Sequence, residues 1–228
     1  MIFQGRRMEY ETNQTEITIG SLRLCFTQIH NVEAAIDAMF RELEARGSGE
    51  LLEDLCPYFG SVWPSARVLS QWVWSKGDAA FRGKSVMEVG CGLALPSFVV
   101  SHFGARSVAT DLHPDVPGFL RTNLEQNPGF SIEFKTLDWR RPTEEAIGTF
   151  DWVLASDVLY EKYQAASLVD FLKRHLALEG EAILVDPNRA YWERLVVLAR
   201  HAGFYVEVQD CLDQDKVFRL VSIRHSPS

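Results

Sequence analysis

Two glycines after a short apolar segment form the part of the sequence best suited to bind a ligand. Residues 86–89 are followed by Gly90, Cys91 and Gly92, and then by a pattern of helical periodicity. Glycines at this spacing let the backbone turn sharply and let a ligand lie against main-chain N–H groups. Because ligands of open α/β sheets bind at the carboxyl ends of strands, these three residues form a predicted binding loop.

The loop differs from the fingerprint of dinucleotide-binding proteins. The third glycine of that fingerprint is replaced by Leu95, which disfavours a pyrophosphate pressed against the start of the helix. Glu88 adds a carboxylate where a diphosphate would arrive. A ligand with a cationic portion suits that charge better. The sulfonium and ammonium groups of S-adenosylmethionine (AdoMet) match this description, so Glu88 is predicted to be a cofactor-binding residue.

Polar and aromatic residues also follow the next two strand-like segments. Asp111 ends the second segment, about 20 residues after Gly90, which is the spacing of an acidic residue that binds a ribose hydroxyl. The alternative is that Asp111 only caps a helix beginning near Pro114. After the third segment, Trp139 can stack on an adenine ring, and Asp138 can accept a hydrogen bond from the exocyclic amine. The alternative for Trp139 is burial between a helix and the sheet.

These residues lie in a chain where strand-like and helix-like segments alternate. Helices are predicted over residues 65–74, 95–103, 116–126, 165–176 and 191–201, and strands over 84–89, 107–110, 132–136, 151–156, 182–185, 204–208 and 216–223. The alternation predicts an α/β fold with a doubly wound, mostly parallel, Rossmann-like sheet of seven strands. The last two strands, joined by the short polar loop 211–215, must pair antiparallel.

The first 60 residues are predicted to form an α/β extension packed on a domain of residues 61–228. Apolar and polar residues alternate over 17–19 and 22–26 across Gly20 and Ser21, which predicts a strand-turn-strand or a bulged strand. Asn31 is a predicted N-cap for a following helix that Gly47 would end. We interpret the extension as a cap or as part of a wall on the substrate side.

Composition narrows the classes of function. The 228 residues suit one globular domain, and no apolar run approaches the ~18 residues of a membrane span or a signal-peptide core. With 31 acidic and 23 basic residues the charge is −8, which disfavours nucleic acid and favours a basic partner. Four scattered cysteines predict reduced thiols in the cytoplasm, and the histidine spacing predicts no metal site. The sequence leaves the oligomeric state open, with a monomer as the simplest state.

Four motifs give the chain a resemblance to a known family. They are Val-Trp-Pro-Ser at 62–65, Glu-Val-Gly-Cys-Gly at 88–92, Leu-Asp-Trp at 137–139 and Leu-Ala-Ser-Asp-Val-Leu-Tyr at 154–160. With these motifs the sequence resembles the class I, seven-β-strand AdoMet-dependent methyltransferases. More narrowly, it is similar to methyltransferase family 16, which holds many protein-lysine methyltransferases. The family often has a further glycine near Ala94, and residues 1–60 match nothing that we can place.

The resemblance implies a role for each motif residue. Trp63 would close over AdoMet, the two loop glycines would follow its methionine moiety, Asp111 would bind its ribose, and Trp139 would flank its adenine. Ser156 would contact the cofactor near the end of the fourth strand of the domain. Asp157 and Tyr160, predicted to be catalytic, would line the substrate entrance. The alternative for these last two is a strand end with a helix cap and a packed tyrosine.

The sequence therefore predicts an AdoMet-dependent methyltransferase acting on a protein lysine. A lysine amine has a pKa of about 10.4 in water, and burial in a narrow channel lowers it. We expect Asp157 to orient the amine and Tyr160 to shape the channel, and the segment 186–189 is either substrate-side or a plain strand-to-helix turn. A small-molecule N- or O-methyltransferase is the nearest alternative. An NAD(P)-dependent oxidoreductase and a non-catalytic cofactor-binding module are the alternatives of another class.

Overall fold

The centre of the molecule is a seven-stranded sheet, described by a computed structural model that covers residues 9–45, 55–141 and 147–226. Its strands are β3 (Ser85–Val89), β4 (Arg106–Asp111), β5 (Ile132–Thr136), β6 (Phe150–Ser156), β7 (Leu176–Asp186), β8 (Phe204–Asp213) and β9 (Lys216–His225). They are ordered β5-β4-β3-β6-β7-β9-β8. The first five run parallel, and β9 is antiparallel to both β7 and β8. The predicted Rossmann-like sheet with a terminal antiparallel pair is confirmed.

The helices cover both faces of the sheet. They are α1 (Val32–Ala45), α2 (Pro64–Lys76), α3 (Asp78–Phe81), α4 (Leu95–His102), α5 (Val116–Gln126), α6 (Gln164–His175) and α7 (Trp192–His201), with a 3-10 turn at Pro57–Gly60. Alternate residues of the central strands divide between two apolar clusters. Val86 and Leu154 lie in one cluster, whereas Met87 and Val153 lie in the other. A strand that is buried on both faces has this pattern because successive side chains point in opposite directions.

The terminal hairpin has longer strands and a shorter turn than the sequence predicts. β8 extends to Asp213, and only Gln214 and Asp215 connect it to β9. Both connecting residues have positive φ angles, 45° and 63°, as a two-residue hairpin turn of type I′ requires. Neither residue is a glycine, so the signal for this turn is weak in the sequence.

The N-terminal residues form a separate two-stranded hairpin, β1 (Thr12–Ile19) and β2 (Leu22–Ile29), which confirms the strand-turn-strand alternative. The Asn31 side chain accepts a hydrogen bond from the Ala34 N–H at 2.9 Å, as predicted for the N-cap of α1. Gly47, the predicted end of that helix, lies outside the described residues. The division of the chain at residue 60 stays a prediction.

Two asparagine side chains fasten this hairpin to α5. Asn123 accepts a hydrogen bond from the Thr27 N–H at 2.8 Å and donates one to the Thr27 carbonyl at 3.4 Å. Asn127 forms the same pair of bonds with Cys25, at 2.9 and 2.7 Å. The two amides therefore satisfy the backbone of β2 as a neighbouring strand would. None of the helices in the described part of the chain is long and apolar enough to cross a membrane.

Candidate active site

A cavity of about 540 Å³ lies at the carboxyl ends of the central strands. The chain continues from β3 to β4 and β5 on one side, and later forms β6 and β7 on the other side. This reversal of strand order is where open α/β sheets bind ligands. Of the predicted site residues, the cavity wall includes Trp63, Gly90, Cys91, Gly92, Asp111, Asp138, Trp139, Ser156, Asp157 and Tyr160. The structure thus brings together predicted site residues from five separate segments of the chain.

The glycine loop is shaped by backbone conformations that favour glycine. Gly90 and Gly92 have φ angles of 63° and 51°. A Cβ atom on Gly90 would lie 2.9 Å from Cγ1 of Val158, which is too close for a real contact. Ala94, which follows the loop, has a φ of 62°. This left-handed backbone costs an alanine roughly 1–2 kcal/mol.

Asp111 joins the loops that follow β3 and β4. Its carboxylate accepts hydrogen bonds from the Gly92 N–H at 3.0 Å and from the His113 N–H at 2.9 Å. Burial raises the pKa of Asp111, and these N–H donors oppose that effect. Helix α5 begins at Val116 with Asp115 at its N-cap position, so Asp111 is not the cap of that helix. The carboxylate lies on the cavity wall, where the predicted ribose role places it.

Trp139 and Asp138 line the cavity beyond the end of β5. The Trp139 side chain is buried, with its Nε1 atom close to the glycine loop. The Asp138 carboxylate accepts hydrogen bonds from the Arg140 guanidinium at 2.6 and 3.1 Å. Burial by itself raises the pKa of Asp138, but Arg140 outweighs it and holds the pKa below its ordinary value. An adenine amine would therefore share Asp138 with Arg140, which is not among the site residues predicted from the sequence.

Glu88 does not line the cavity, contrary to its predicted role in cofactor binding. Its side chain is buried beneath the loop, and it accepts hydrogen bonds from the N–H and the hydroxyl of Ser97 on α4 at 3.0 and 2.6 Å. Its other oxygen, Oε1, is buried without a hydrogen-bond partner among the described residues. Burial raises the pKa of Glu88 to about 8, so a proton neutralises most of it near pH 7. The prediction that its charge faces a cationic ligand is wrong, because the side chain points towards α4.

The other side of the cavity is formed by the ends of β6 and β7. Ser156 ends β6, and Asp157 follows with a φ of 56°, its N–H bonded to the Val185 carbonyl at 2.9 Å. The Asp157 carboxylate faces the cavity, and both of its oxygens accept hydrogen bonds from the guanidinium of Arg189. Asp157 is therefore not a helix cap.

The loop after Asp157 is held by Gln164 on α6. Its buried side-chain oxygen accepts hydrogen bonds from the N–H groups of Tyr160 and Glu161 at 2.8 and 2.7 Å. The Tyr160 ring is exposed, so the packed-tyrosine alternative is wrong. Gln164 carries no motif that would reveal this role from the sequence.

Exposed aromatic side chains surround the mouth of the cavity. Tyr58, Trp63, Tyr160 and Tyr163 are between 37% and 54% exposed, and all four line the cavity. Nε1 of Trp63 donates a hydrogen bond to the Tyr58 carbonyl at 2.7 Å, which fixes the indole at the start of α2. Trp63 and Tyr160 are among the site residues predicted from the sequence, whereas Tyr58 and Tyr163 are not. Tyr58 lies in the part assigned to the extension, so a cavity-lining role extends into that part.

The residues present fit AdoMet. A carboxylate for hydroxyl groups, a buried indole and a loop with two glycines line the cavity together. Together, Gly90, Gly92, Asp111 and Trp139 are called here the cofactor half of the site. Asp157, Tyr160 and Arg189 are called the acceptor half. Among the described residues, no group of three His, Cys, Asp or Glu side chains is placed to hold a metal ion.

Comparisons with known proteins agree with this geometry. The family model of the lysine methyltransferases matches residues 55–194, more than half of the chain. The mouse protein-lysine methyltransferase METTL21E is 36% identical over 176 residues, covering 73% of this chain and 68% of that protein. The calmodulin-lysine N-methyltransferase of Arabidopsis thaliana is 32% identical over 136 residues, which are 56% of this chain and 44% of the relative. The chain thus spans less than half the length of that second relative.

A solved structure shows the same fold. Magnesium protoporphyrin IX methyltransferase (ChlM) from Synechocystis PCC 6803 with bound AdoMet superposes with a TM-score of 0.58. The two proteins are 19% identical over 86% of this chain and 97% of the other. The family match leaves no place for the oxidoreductase alternative. The chain belongs to the lysine methyltransferase family, whose members are AdoMet-dependent enzymes.

Proposed function

We propose that this enzyme transfers a methyl group from AdoMet to the side-chain amine of a lysine in a protein partner. The observation that carries the proposal is the position of Asp157. Its carboxylate lies on the cavity wall directly after Ser156, and its side chain is only 12% exposed. A carboxylate held there can meet an amine that enters through the aromatic mouth.

In this proposal the cofactor half holds AdoMet. Asp111 binds the ribose hydroxyls, Trp139 packs against the adenine, and the glycine loop leaves room for the methionine moiety. When bound, AdoMet supplies a methyl group on a positively charged sulfur, which makes the methyl carbon electrophilic. The protein contributes orientation, since an amine held in line with the methyl group reacts far faster than a free one.

The acceptor must arrive as an ammonium ion and react as a neutral amine. The ammonium first loses a proton to water, since its ordinary pKa is about 10.4 and the nitrogen needs its lone pair to react. The lone pair then forms the new N–C bond while the C–S bond breaks and its electrons stay on sulfur. Asp157 accepts a hydrogen bond from the amine and so directs the lone pair towards the methyl group.

The surroundings of the mouth support a protein substrate. Four exposed aromatic side chains offer apolar surface to the aliphatic part of a lysine and to its neighbours. The formal charge of −8 favours a lysine-rich partner.

We also propose that the enzyme works in the cytoplasm, a location suited to its four free cysteines. In this proposal neither nucleic acid nor a membrane is its partner.

The experiment is methylation of a cell extract with tritiated AdoMet, followed by acid hydrolysis and identification of the labelled amino acid. We expect label in methyl-lysine when the wild-type chain is added. Label in methyl-arginine, or label that stays in the small-molecule fraction, would contradict the lysine proposal. No label, with AdoMet still bound, would favour the non-catalytic module.

Two variants serve as controls for this experiment. Asp157→Asn removes the carboxylate charge at a left-handed position that asparagine tolerates, and we expect little label. Arg82→Gln removes one charge from an exposed ion pair with Asp78, which does not line the cavity. This second variant should label the extract as the wild type does.

A further inference from the structure

The carboxylate of Asp157 is bound by the guanidinium of Arg189. The Arg189 Nε–H donates to Oδ1, and the Nη2 group donates to Oδ2 at 3.1 Å. Two parallel bonds of this kind form the strongest arrangement of arginine and carboxylate. Both residues line the cavity, so the pair is part of the acceptor half of the site.

The loop that carries Arg189 is fixed from behind. The buried Asp186 accepts a hydrogen bond from the Arg189 backbone N–H at 2.6 Å. The Asn188 side chain accepts bonds from Nε1 of Trp192 at 3.2 Å and from Nε of Arg219 at 3.1 Å. Because these contacts come from β7, α7 and β9, the loop from which the Arg189 side chain extends is held in place by the fold.

A lone carboxylate would hinder the reaction that needs it. A negative charge beside an amine favours the protonated form and raises the pKa of the amine, typically by 1–3 units at about 4–6 Å. A carboxylate already bound by arginine keeps lone pairs that can accept a further hydrogen bond. The cation balances its charge, so the neutral amine is no longer disfavoured.

We propose that Arg189 is a positioning residue, which balances the charge of Asp157 so that this carboxylate orients the substrate amine without holding a proton on it. This inference rests on the lysine activity proposed above. It assigns the segment 186–189 to the substrate side. The segment is then more than a strand-to-helix turn.

Other titratable groups also face this part of the cavity. They are Asp138, Arg140, Tyr160, Glu161 and Tyr163 on the wall, and Asp186 behind the loop. Asp138 and Arg140 form their own ion pair. Burial raises the pKa of Asp186 to about 6, so this carboxylate is mostly ionised above pH 7. Without Arg189 its charge adds to that of Asp157, and both disfavour the neutral amine.

The test is the pH dependence of methylation with four chains: the wild type, Arg189→Gln, Arg189→Lys and Arg82→Gln. The probe is tritiated AdoMet with heat-treated cell extract as acceptor, and the readout is the initial rate of label entering lysine from about pH 6.5 to about pH 10. The same extract is used throughout, so titration of its own lysines affects every chain equally.

We expect the rising limb of the Arg189→Gln profile to move to higher pH by about one unit or more. The initial rate of Arg189→Gln should therefore be about tenfold or more below that of the wild type near pH 7.5, and should approach the wild-type rate at high pH. The pH profile of Arg189→Lys, which keeps the charge, should stay close to that of the wild type. The profile of Arg82→Gln should be the same as that of the wild type. Calorimetry with S-adenosylhomocysteine (AdoHcy) should give the same Kd for all four chains.

An unshifted profile for Arg189→Gln would overturn the inference. A lower KM with an unchanged profile would also overturn it, since Arg189 would then merely compete with the substrate for Asp157. If Arg189→Gln fails to bind AdoHcy, Arg189→Met, which keeps the aliphatic part of the side chain, replaces it and must show the same shift. Wild-type label on arginine would overturn the lysine proposal together with this inference, whereas label on lysine with an unshifted profile overturns the inference alone.

Discussion

The two halves of the cavity are built in different ways. In the cofactor half, the wall consists of a glycine loop at positive φ and of a carboxylate bonded to backbone N–H groups. In the acceptor half, the wall consists of polar and aromatic side chains, and its central contact joins Asp157 to Arg189, 32 residues apart. The first half depends on backbone shape and the second on charge.

This difference separates what a substitution can change. Backbone shape and buried hydrogen bonds determine which cofactor binds, and a change there should alter affinity. Charge and orientation at the open side determine whether an amine reacts, and a change there should alter turnover alone. Substitutions in each half, and outside both, can test that separation.

Asp157→Ala should abolish most turnover and leave cofactor binding intact. We expect a loss of about 100-fold or more in the rate of methylation, because an amine that is misplaced by an ångström reacts that much more slowly. Alanine at a φ of 56° adds strain, so Asp157→Asn is the matched variant with an unstrained backbone. Rates with tritiated AdoMet and the calorimetric Kd for AdoHcy check both expectations. A large rise in that Kd for Asp157→Asn would show that the halves are not separate.

Asp111→Asn should weaken cofactor binding and leave the acceptor half unaffected. Hydrogen bonds to a charged group are worth about 1.5–3 kcal/mol, so we expect AdoHcy to bind roughly 10- to 150-fold more weakly. At saturating AdoMet the rate should recover towards that of the wild type. Asp78→Asn, at an exposed ion pair away from the cavity, is the control for the lost charge. An unchanged Kd for AdoHcy would contradict the proposal that Asp111 binds the ribose.

Asn127→Ala should affect stability without affecting either half of the cavity. The substitution leaves the backbone N–H and carbonyl of Cys25 without the partners that they have now. We expect a loss of about 1–3 kcal/mol in the free energy of unfolding, measured in urea. Gln126→Ala, which loses a single bond to the Thr27 hydroxyl, should lose less. A fall in AdoHcy affinity for the folded Asn127→Ala chain would connect the hairpin to the cofactor half.

Glu88 should make the free energy of unfolding depend on pH. Its pKa is raised by burial from the ordinary value of 4.5 to about 8, so between these values the folded chain holds a proton that the unfolded chain has lost. Stability therefore falls as pH rises through this window and levels off above it. In Glu88→Gln this contribution should be absent. Urea unfolding of both chains at several pH values checks the sign, and equal slopes would contradict it.

The cofactor half and the sheet could largely be predicted from sequence. Glycines at positive φ and strands buried on both faces leave local patterns, so the loop of Gly90 and Gly92, the position of Asp111 and the antiparallel pairing of the last two strands followed from residue types. The role of Glu88 was predicted wrongly, even though its position in the strand indicates the face on which it lies. It lies two residues after Val86, and side chains two apart on a strand share a face, here the face that packs on α4.

The acceptor half could be predicted only in part. Asp157 and Tyr160 belong to a motif, but the pairing of Asp157 with Arg189 depends on how two neighbouring parallel strands end side by side. The contacts of Asn123 and Asn127 with β2 join residues about 100 apart, and an asparagine on a helix gives no sign of such a partner. Contacts of this kind come from the tertiary fold and leave no local pattern.

Calorimetric titration of the full chain with AdoHcy and, separately, with NADH is the most direct test of a cavity shaped for AdoMet beside an independent acceptor half. We predict that AdoHcy binds the wild type and Asp157→Asn with the same Kd, binds Asp111→Asn more weakly, and that NADH gives no heat with any of them. Tight binding of NADH to the wild type, with no heat from AdoHcy, would contradict the assignment of the whole site.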